Sequence, residues 1–566
     1  MLKEHFRRIQ EGARSVYSLD NLAPWISKYT KLEGKPFTFE HHEYQRDIIS
    51  DPAKTLLVNK AAQTGLSEIF ARWALAACTT QDNFTIIWTF PSTSDAERFT
   101  KARLDPIIAS SSELRRAVSK HVDSSELKQF NANSFAYIRG TLSETGALSV
   151  PADLLLHDEL DRSDIGNIAA YVSRLQHKPT KMRRLFSTPT VAKYGIDLAC
   201  ETAKRKRQIW TCNHCNYKWL PSYENDIHIP GWDKPKREIT KHSIKDVRWA
   251  EATLLCPNCK LVPSTDVKYR EWVIENPSEN YDTIAYYVSP FCAPQYLTAP
   301  YLVKVSSEFG KWSEFCNQAL GLTSEDENES LTEVDIRKTL VDYSLDSSET
   351  HCMGVDLGLF CHLSIGRKTT DGTLLIVHRE KVGYRQLLQR RQELAKHYRI
   401  TTSVYDYQPY TDLVATITGF DPNAYGARYE NKASTETHRI QEQEQADEEG
   451  KVSFRMAIIN RDIAFDALMS DIKAGSLLVN AQDSGDEFVQ HLRDMKRIQV
   501  KDKFGELRYA WKKTEGHDHW HHSLLYLKTA IDLRATIMSN QATGAPLVIS
   551  FRPKERQKMT AMGLRA

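Results

Sequence analysis

No stretch of this 566-residue chain approaches the ~20 consecutive apolar residues that cross a bilayer. The first eight residues, Met1 to Arg8, lack the apolar core of a secretory signal. A surplus of one charge sign is also missing. The net charge is only +2, so any grip on nucleic acid must come from local basic surfaces rather than from a basic whole. Internal repeats and long low-complexity tracts are absent. Cysteine is sparse, 10 residues in the chain, which argues against a disulfide scaffold and leaves thiols or metal ligands in a reducing compartment. The expectation is a cytosolic protein with no membrane contact. What is present is an ordinary globular composition in a chain long enough for several domains.

The most telling segment is Lys60 to Ser67. It follows the buried-strand pattern Leu56-Leu57-Val58 and precedes an apolar helical run from Ser67 to Cys78. A phosphate-binding loop places backbone amides around phosphates, a lysine on the β and γ phosphates and a hydroxyl on magnesium. Here Lys60, Ala61, Ala62, Gln63, Thr64, Gly65, Leu66 and Ser67 fill that loop, with Leu66 in the usual lysine slot and Lys60 in the first glycine slot. The cation has moved to the other end of the same turn, from which it can curl back over a triphosphate. The helix that follows points its N-terminal amides at the phosphates.

Such a loop needs a magnesium-binding acid on a neighbouring strand. The apolar run Leu154-Leu155-Leu156-His157 ends in Asp158 and Glu159. Asp158 is expected to hold magnesium through water and Glu159 to polarise the attacking water. The strand patterns from Phe84 to Pro91 and from Leu185 to Thr190 fit the same α/β sheet, and Ser187 stands at the end of the second. Tyr44 and Gln45 are expected against adenine, although an aromatic–glutamine pair also suits a plain helix surface. Arg98, Arg103, Arg139 and Arg162 are candidates to neutralise transition-state charge, and the sequence does not choose among them.

Cys212-Asn213-His214-Cys215 and Cys256-Pro257-Asn258-Cys259 form two C-x-x-C pairs about 40 residues apart, more than the common ~15–20, in polar turn-prone sequence. Four thiolates of this kind form a closed structural zinc site, a ribbon over about 208–262. His214 reads as a bystander. The basic run Lys204 to Arg207 suits either phosphates or a solvated face.

A second α/β pattern begins near Cys352. Asp356 ends an apolar strand beside Gly354 and Gly358. Antiparallel strand patterns follow across the turn Asp371-Gly372, and Asp406 ends another strand. Far downstream, Asp518 and the cluster His517 to His522 precede an apolar helix. Three acids, two at strand ends and one at a helix start, suit two divalent ions, magnesium or manganese, in a ribonuclease-H-like nuclease. Asp356, Asp406 and Asp518 are therefore the expected catalytic acids. His519 or His522 serves as a further ligand, a proton donor or a simple helix-start residue.

With both constellations in view, the chain resembles the large terminase subunit of tailed bacteriophages, closest to the branch typified by the phage lambda large subunit. The likeness runs over about 40–530. It rests on the displaced Lys60, the segment Phe90 to Phe99, the stretch Arg103 to Ile108, the Gly140 to Gly146 stretch, the paired cysteines and Gly354-Val355-Asp356. The resemblance implies an N-terminal P-loop ATPase with a parallel sheet and a zinc-ribbon insertion (41–325). An arm (1–40) precedes it, and a linker (326–350), a ribonuclease-H-like nuclease (351–540) and a basic tail (541–566) follow. Lys60, Gly65, Ser67, Asp158, Glu159 and Ser187 match the ATPase motif positions, and Asp356 and Asp406 match the first two nuclease acids. Relatives carry a second acid where His522 stands, which leaves Asp518 as the third acid with His522 as a metal ligand beside it. The implied activity is ATP-driven translocation of double-stranded DNA into a procapsid in the bacterial host cytoplasm, with cutting of concatemers. The implied partners are a portal protein, a small terminase subunit and further copies of the chain in a ring.

Two other readings remain open at this level. A transposase- or integrase-like nuclease with a degenerate ATPase domain is favoured by the missing standard lysine, and a nucleotide-binding measurement separates it. A zinc-ribbon DNA-binding scaffold is disfavoured by carboxylates at strand ends, which repel a polyanion.

Overall fold

The computed structural model describes residues 17–131, 133–141, 150–277, 279, 281–324, 330–342, 344, 348–430, 437–447, 450–481, 485–501, 507–514, 516–543 and 550–551. Several expected features fall wholly or partly outside these residues: the start of the N-terminal arm, most of the Gly140–Gly146 stretch, parts of the 326–350 linker and most of the basic tail. The chain divides into two compact units. One comprises Met1–Asp326 with Ile498–Tyr509, and the other Glu327–Arg497 with Ala510–Ala566. Among the described residues, no helix is long and apolar enough to cross a membrane.

In the first unit, seven strands run parallel in the order Lys204–Thr211, Thr283–Val288, Thr55–Lys60, Met182–Ser187, Leu154–Asp158, Thr85–Phe90 and Ser134–Gly140. Strands buried on both faces read as continuous apolar runs, which is why Leu56 to Val58 and Leu154 to Leu156 lack alternation. Antiparallel strands extend both edges, with Leu127–Phe130 on one side and Arg270–Ile274 on the other. The acid strand Leu154–Asp158 is not the direct neighbour of the loop strand, as the sequence pattern suggested. Met182–Ser187 lies between them and pairs in parallel with both. The helix Leu66–Thr80 packs its apolar residues into the main core of this unit.

In the second unit, His351–Asp356, Phe360–Lys368 and Leu374–Gly383 form an antiparallel meander. Parallel strands Ile400–Asp406, Ala424–Tyr429 and Gly450–Ile459 continue the sheet from its first strand. The polar residues 438–447, rich in Glu and Gln, contribute a strand of their own. His438–Asp447 pairs antiparallel with Gly450–Ile459, and Ile440 reaches the core. Ladder hydrogen bonds satisfy backbone groups whatever the side chains are, so Glu- and Gln-rich sequence at a sheet margin does not preclude a strand.

The helix His519–Thr543 crosses this sheet in backbone contact. A Cβ on Gly354 would lie 2.1 Å from the Leu527 nitrogen and 2.4 Å from the Ser523 oxygen, so only glycine fits beneath the helix. The Ser523 hydroxyl donates to Ser364 Oγ at 2.7 Å across the same contact. The first turn of the helix is thereby fixed over the C-terminal end of the His351–Asp356 strand.

Candidate active sites

The first site forms where the strand Thr55–Lys60 turns into the helix Leu66–Thr80. Gly65 makes the turn with φ +71°, a left-handed conformation open to glycine. No side chain caps the helix, so its first-turn amides lack an intrahelical partner. Behind the loop, the Tyr44 hydroxyl and the Gln45 amide both donate to the Thr64 carbonyl, at 2.5 and 2.9 Å. Both side chains are buried. The structure therefore places this pair as braces of the loop rather than as open contacts for a base. A helix position carrying Tyr and Gln looks the same in sequence whether it faces a ligand or a neighbouring turn. The Ala61 and Ala62 amides donate to the Val288 and Gln318 carbonyls, which ties the start of the loop to the rest of the unit.

Lys60 is buried, and its Nζ lies 2.9 Å from Glu159 Oε1. Burial disfavours the ammonium, but Glu159 and Asp158 more than offset that and raise its pKa. Burial likewise pushes the Glu159 carboxyl up, yet Lys60 and Arg162 prevail and hold it below its ordinary value. Asp158 goes the other way. Burial, with the Glu159 charge beside it and despite Lys60, raises it to about 7, and its Oδ1 has no hydrogen-bond partner. An orphaned carboxylate oxygen beside the Ser67 hydroxyl fits a missing cation. Glu159 itself has φ +58°, a strained conformation of the kind that collects at functional sites. Thr188 Oγ1 donates to Glu159 Oε2 at 3.3 Å, and Ser187 Oγ accepts from the Asp161 amide at 3.2 Å.

Of the four arginine candidates, Arg162 is the one that acts on both Glu159 and Lys60. Arg98 pairs with Asp95, Arg103 with Glu68 and Arg139 with Glu126. Asp161 escaped the sequence reading. It is fully buried and accepts from the Thr190 amide, the Thr190 hydroxyl and the Ile196 amide, so it ties the acid strand to the loop after Ser187. Nothing in the local pattern separates it from a surface acid.

In the same unit, the sulfurs of Cys212, Cys215, Cys256 and Cys259 all lie within 4.8 Å of one another. Two edges measure 3.6 Å (Cys212–Cys259) and 3.7 Å (Cys215–Cys256). A tetrahedron with zinc–sulfur bonds of about 2.3 Å has edges of about 3.8 Å, so the donor set fits zinc. The two knuckles are the same turn twice. Asn216 and Lys260, each following the second cysteine, both have φ +60°, and their amides return to Cys212 and Cys256. His214 turns away to the Val262 carbonyl.

The second unit carries the acid site. Val355 is the register partner of Tyr405 in parallel strands, so Asp356 and Asp406 stand side by side on one face at the strand ends. Burial, with the Asp356 charge next to it, pushes the Asp406 carboxyl up to about 6. His519 Nδ1 lies 2.8 Å from Asp356 Oδ2, and its pKa is raised by that contact. Asp356, His362 and His519 form a group whose ligand atoms lie within 4.8 Å of one another.

Asp518 is not a member of that group. Its Oδ2 lies 3.2 Å from His522 Nε2, one turn along the helix. Burial acts against the Asp518 carboxylate, yet His522 outweighs it and holds the pKa well below the ordinary value. His522 Nδ1 meets the Tyr429 hydroxyl, so both ring nitrogens of this expected ligand are engaged by the protein. The two expected ligands thus satisfy each other, because a residue before a helix and one a turn on share a face. The Tyr429 and Tyr526 rings stack 6.0 Å apart, with Tyr526 against Asp406, and the sequence marks neither.

Against known proteins, residues 35–275 match the family model described as phage terminase large subunit gpA, ATPase domain. Similar solved structures include the large terminase of bacteriophage HK97, 12% identical with a TM-score of 0.47 over 89% of this chain and 98% of that one. Others are a large terminase from a thermophilic bacteriophage (9%, TM-score 0.32, 88% and 99%) and the large terminase ATPase domain of Thermus phage P74-26 (12%, TM-score 0.31, 51% and 98%). No curated protein matches the chain.

Proposed function

We infer from the match over residues 35–275 that this chain belongs to the phage terminase large-subunit family and that its first unit is the ATPase of a DNA-packaging motor. The observation that carries the residue assignment is the buried Lys60–Glu159 pair, 2.9 Å long, beside an uncapped helix N-terminus. The loop amides and that N-terminus receive the phosphates. Ser67 and Asp158 hold the magnesium ion of Mg·ATP, which neutralises phosphate charge when bound. Lys60 is the residue shared between two tasks. Without nucleotide it restrains Glu159, and an incoming triphosphate competes for its ammonium and frees the carboxylate to orient water. Arg162 supplies further positive charge at the same place. The relocated lysine, the one feature that favoured a degenerate ATPase domain, thus has a place in this scheme, and it agrees with the lambda-like branch.

In the second unit, the sheet order and the side-by-side acids support a ribonuclease-H-like nuclease. Asp356 and Asp406 would hold magnesium or manganese, which activates water and stabilises the leaving oxygen. Asp518 acts through His522 by fixing its ring. The four cysteines hold structural zinc. Double-stranded DNA is the common substrate of both units, and the portal, procapsid, small subunit and ring assembly follow from the family resemblance.

The test is DNA-stimulated ATP hydrolysis beside plasmid cleavage in Mg2+ or Mn2+. Lys60→Ala and Glu159→Ala should abolish hydrolysis and spare cleavage, whereas Asp356→Ala should do the reverse. Hydrolysis that survives Glu159→Ala would overturn the ATPase assignment, and cleavage that survives Asp356→Ala would overturn the nuclease.

A further inference from the structure

His362 sits in mid-strand in Phe360–Lys368 and is 2% exposed, and neither of its ring nitrogens has a hydrogen-bond partner. A buried polar group without a partner forfeits its hydration for nothing, so such a residue calls for an explanation. Apolar packing is not enough, since an isosteric hydrophobe would fill the space without that cost. The surroundings are unusual for a core position. The His519 ring stacks on His362 at 4.8 Å and 9°, and Trp520 meets it edge-on at 4.7 Å. His491 lies 5.7 Å from both of these imidazole rings, and Glu487 Oε1 is 3.8 Å from His362 Nε2.

Two trios of ligand atoms share His362: Asp356–His362–His519 and His362–Glu487–His491. The second is poorly suited to an ion. The Trp520 amide donates to His491 Nδ1 at 3.3 Å, which keeps the neutral ring's proton on Nε2, facing Glu487 at 3.7 Å. A protonated nitrogen is no ligand. Glu487 is also held by Lys381 Nζ at 2.7 Å. This trio resembles the outer carboxylate that orients a ligating histidine. In the first trio an ion would displace the proton shared between His519 Nδ1 and Asp356 Oδ2, 2.8 Å apart, while both His362 nitrogens are unpartnered.

We propose that Asp356, His362 and His519 bind one divalent transition-metal ion through two imidazole nitrogens and one carboxylate oxygen, beside the Asp356–Asp406 pair. The catalytic meaning of this site rests on the nuclease reading, while the binding itself stands on these three residues. Imidazole suits manganese, cobalt and zinc better than magnesium, which prefers oxygen ligands and retains its waters. One centre therefore combines a hard carboxylate pair with a softer nitrogen-rich corner, and Asp356 belongs to both.

The test uses the full-length protein with its cysteine site loaded with zinc, so that added Mn2+ reports on other sites. Pulsed electron paramagnetic resonance of bound Mn2+ should show 14N modulation from coordinated imidazole. His362→Gln and His519→Gln should each weaken Mn2+ binding at least ~10-fold and reduce the modulation. The His519 side chain is 41% exposed, so His519→Gln keeps the test valid should His362→Gln disturb folding. Mn2+ bound without 14N modulation, or unchanged affinity in His519→Gln, overturns the proposal and leaves a carboxylate-only nuclease intact. Nitrogen-ligated Mn2+ in a protein that leaves plasmid uncut upholds the site and sinks the nuclease reading instead.

Discussion

The two sites handle buried charge in opposite ways. In the first unit, opposite charges are already paired, with Lys60 on Glu159, and Asp158 Oδ1 beside them has no hydrogen-bond partner. In the second, two carboxylates stand side by side, and the side chains that meet them include imidazole and tyrosine. A site that must receive a polyanion gains from a cation already in place. A site that must receive divalent cations gains from negative charge left uncompensated, at a cost in the metal-free state. The comparison teaches that the first site carries its own compensating cation, whereas the second carries carboxylate charge that a bound cation would offset.

The sharpest way to break this comparison is to remove the carboxylate that Lys60 holds. Glu159→Gln keeps the shape and a hydrogen bond to Lys60 but loses the charge. ATP hydrolysis should fall about 10^2–10^4-fold in a steady-state phosphate-release assay, while plasmid cleavage is unchanged. Next in size is Asp356→Asn. Cleavage in Mn2+ should fall at least ~100-fold, and calorimetric Mn2+ binding should weaken with it, with ATP hydrolysis retained. If either substitution silenced both activities equally, the two sites would not be separate devices.

How much of this was legible in the sequence depends on how local each signal is. The loop Lys60 to Ser67, the acid pair Asp158–Glu159 and the two C-x-x-C turns are contiguous, so residue type and spacing reveal them. Asp356 and Asp406 were readable because each ends an apolar strand. His362 was not, because it reads as one polar residue in the strand Phe360–Lys368, and its partners Glu487, His491 and His519 arrive from distant segments. Asp161, Tyr429 and Tyr526 were missed for the same reason. Tyr44 and Gln45 show the converse case, a plausible local pattern whose orientation only packing decides. The strand His438–Asp447 was hidden because backbone pairing leaves no mark on a polar sequence.

A middle-sized effect concerns the scaffold on each side. Cys215→Ser should lower the thermal midpoint of the first unit markedly, since structural zinc sites carry on the order of 10 kcal/mol of binding energy, much of it folding energy. A strong chelator should do the same to the wild type in differential scanning calorimetry. Gly354→Ala should destabilise the second unit by about 1–3 kcal/mol, because the new Cβ would lie 2.1 Å from the Leu527 nitrogen. It should also depress cleavage by tilting the helix that carries His519, with ATP hydrolysis untouched.

The smallest effect is the most specific to the comparison. Asp406 is raised to about 6 by burial and by Asp356, whereas an unfolded aspartate titrates near ~3.9. For a carboxyl raised on folding, the native state binds the proton more tightly than the unfolded state does. Its contribution to metal-free stability is therefore greatest below about pH 4 and is lost as pH climbs through about 6. A divalent ion on the ionised pair reverses that penalty. The Mn2+-induced rise in thermal midpoint should accordingly be small at pH 5, grow by a few degrees toward pH 7 and level off above it. Asp406→Asn should flatten this dependence while raising the metal-free midpoint near neutral pH. Asp406→Asn should leave in place any Mn2+ response of the first unit, where burial raises Asp158 to about 7. A pH-independent Mn2+ shift in the wild type would mean that the two carboxylates are not electrostatically coupled, and the contrast between the two sites would fall with it.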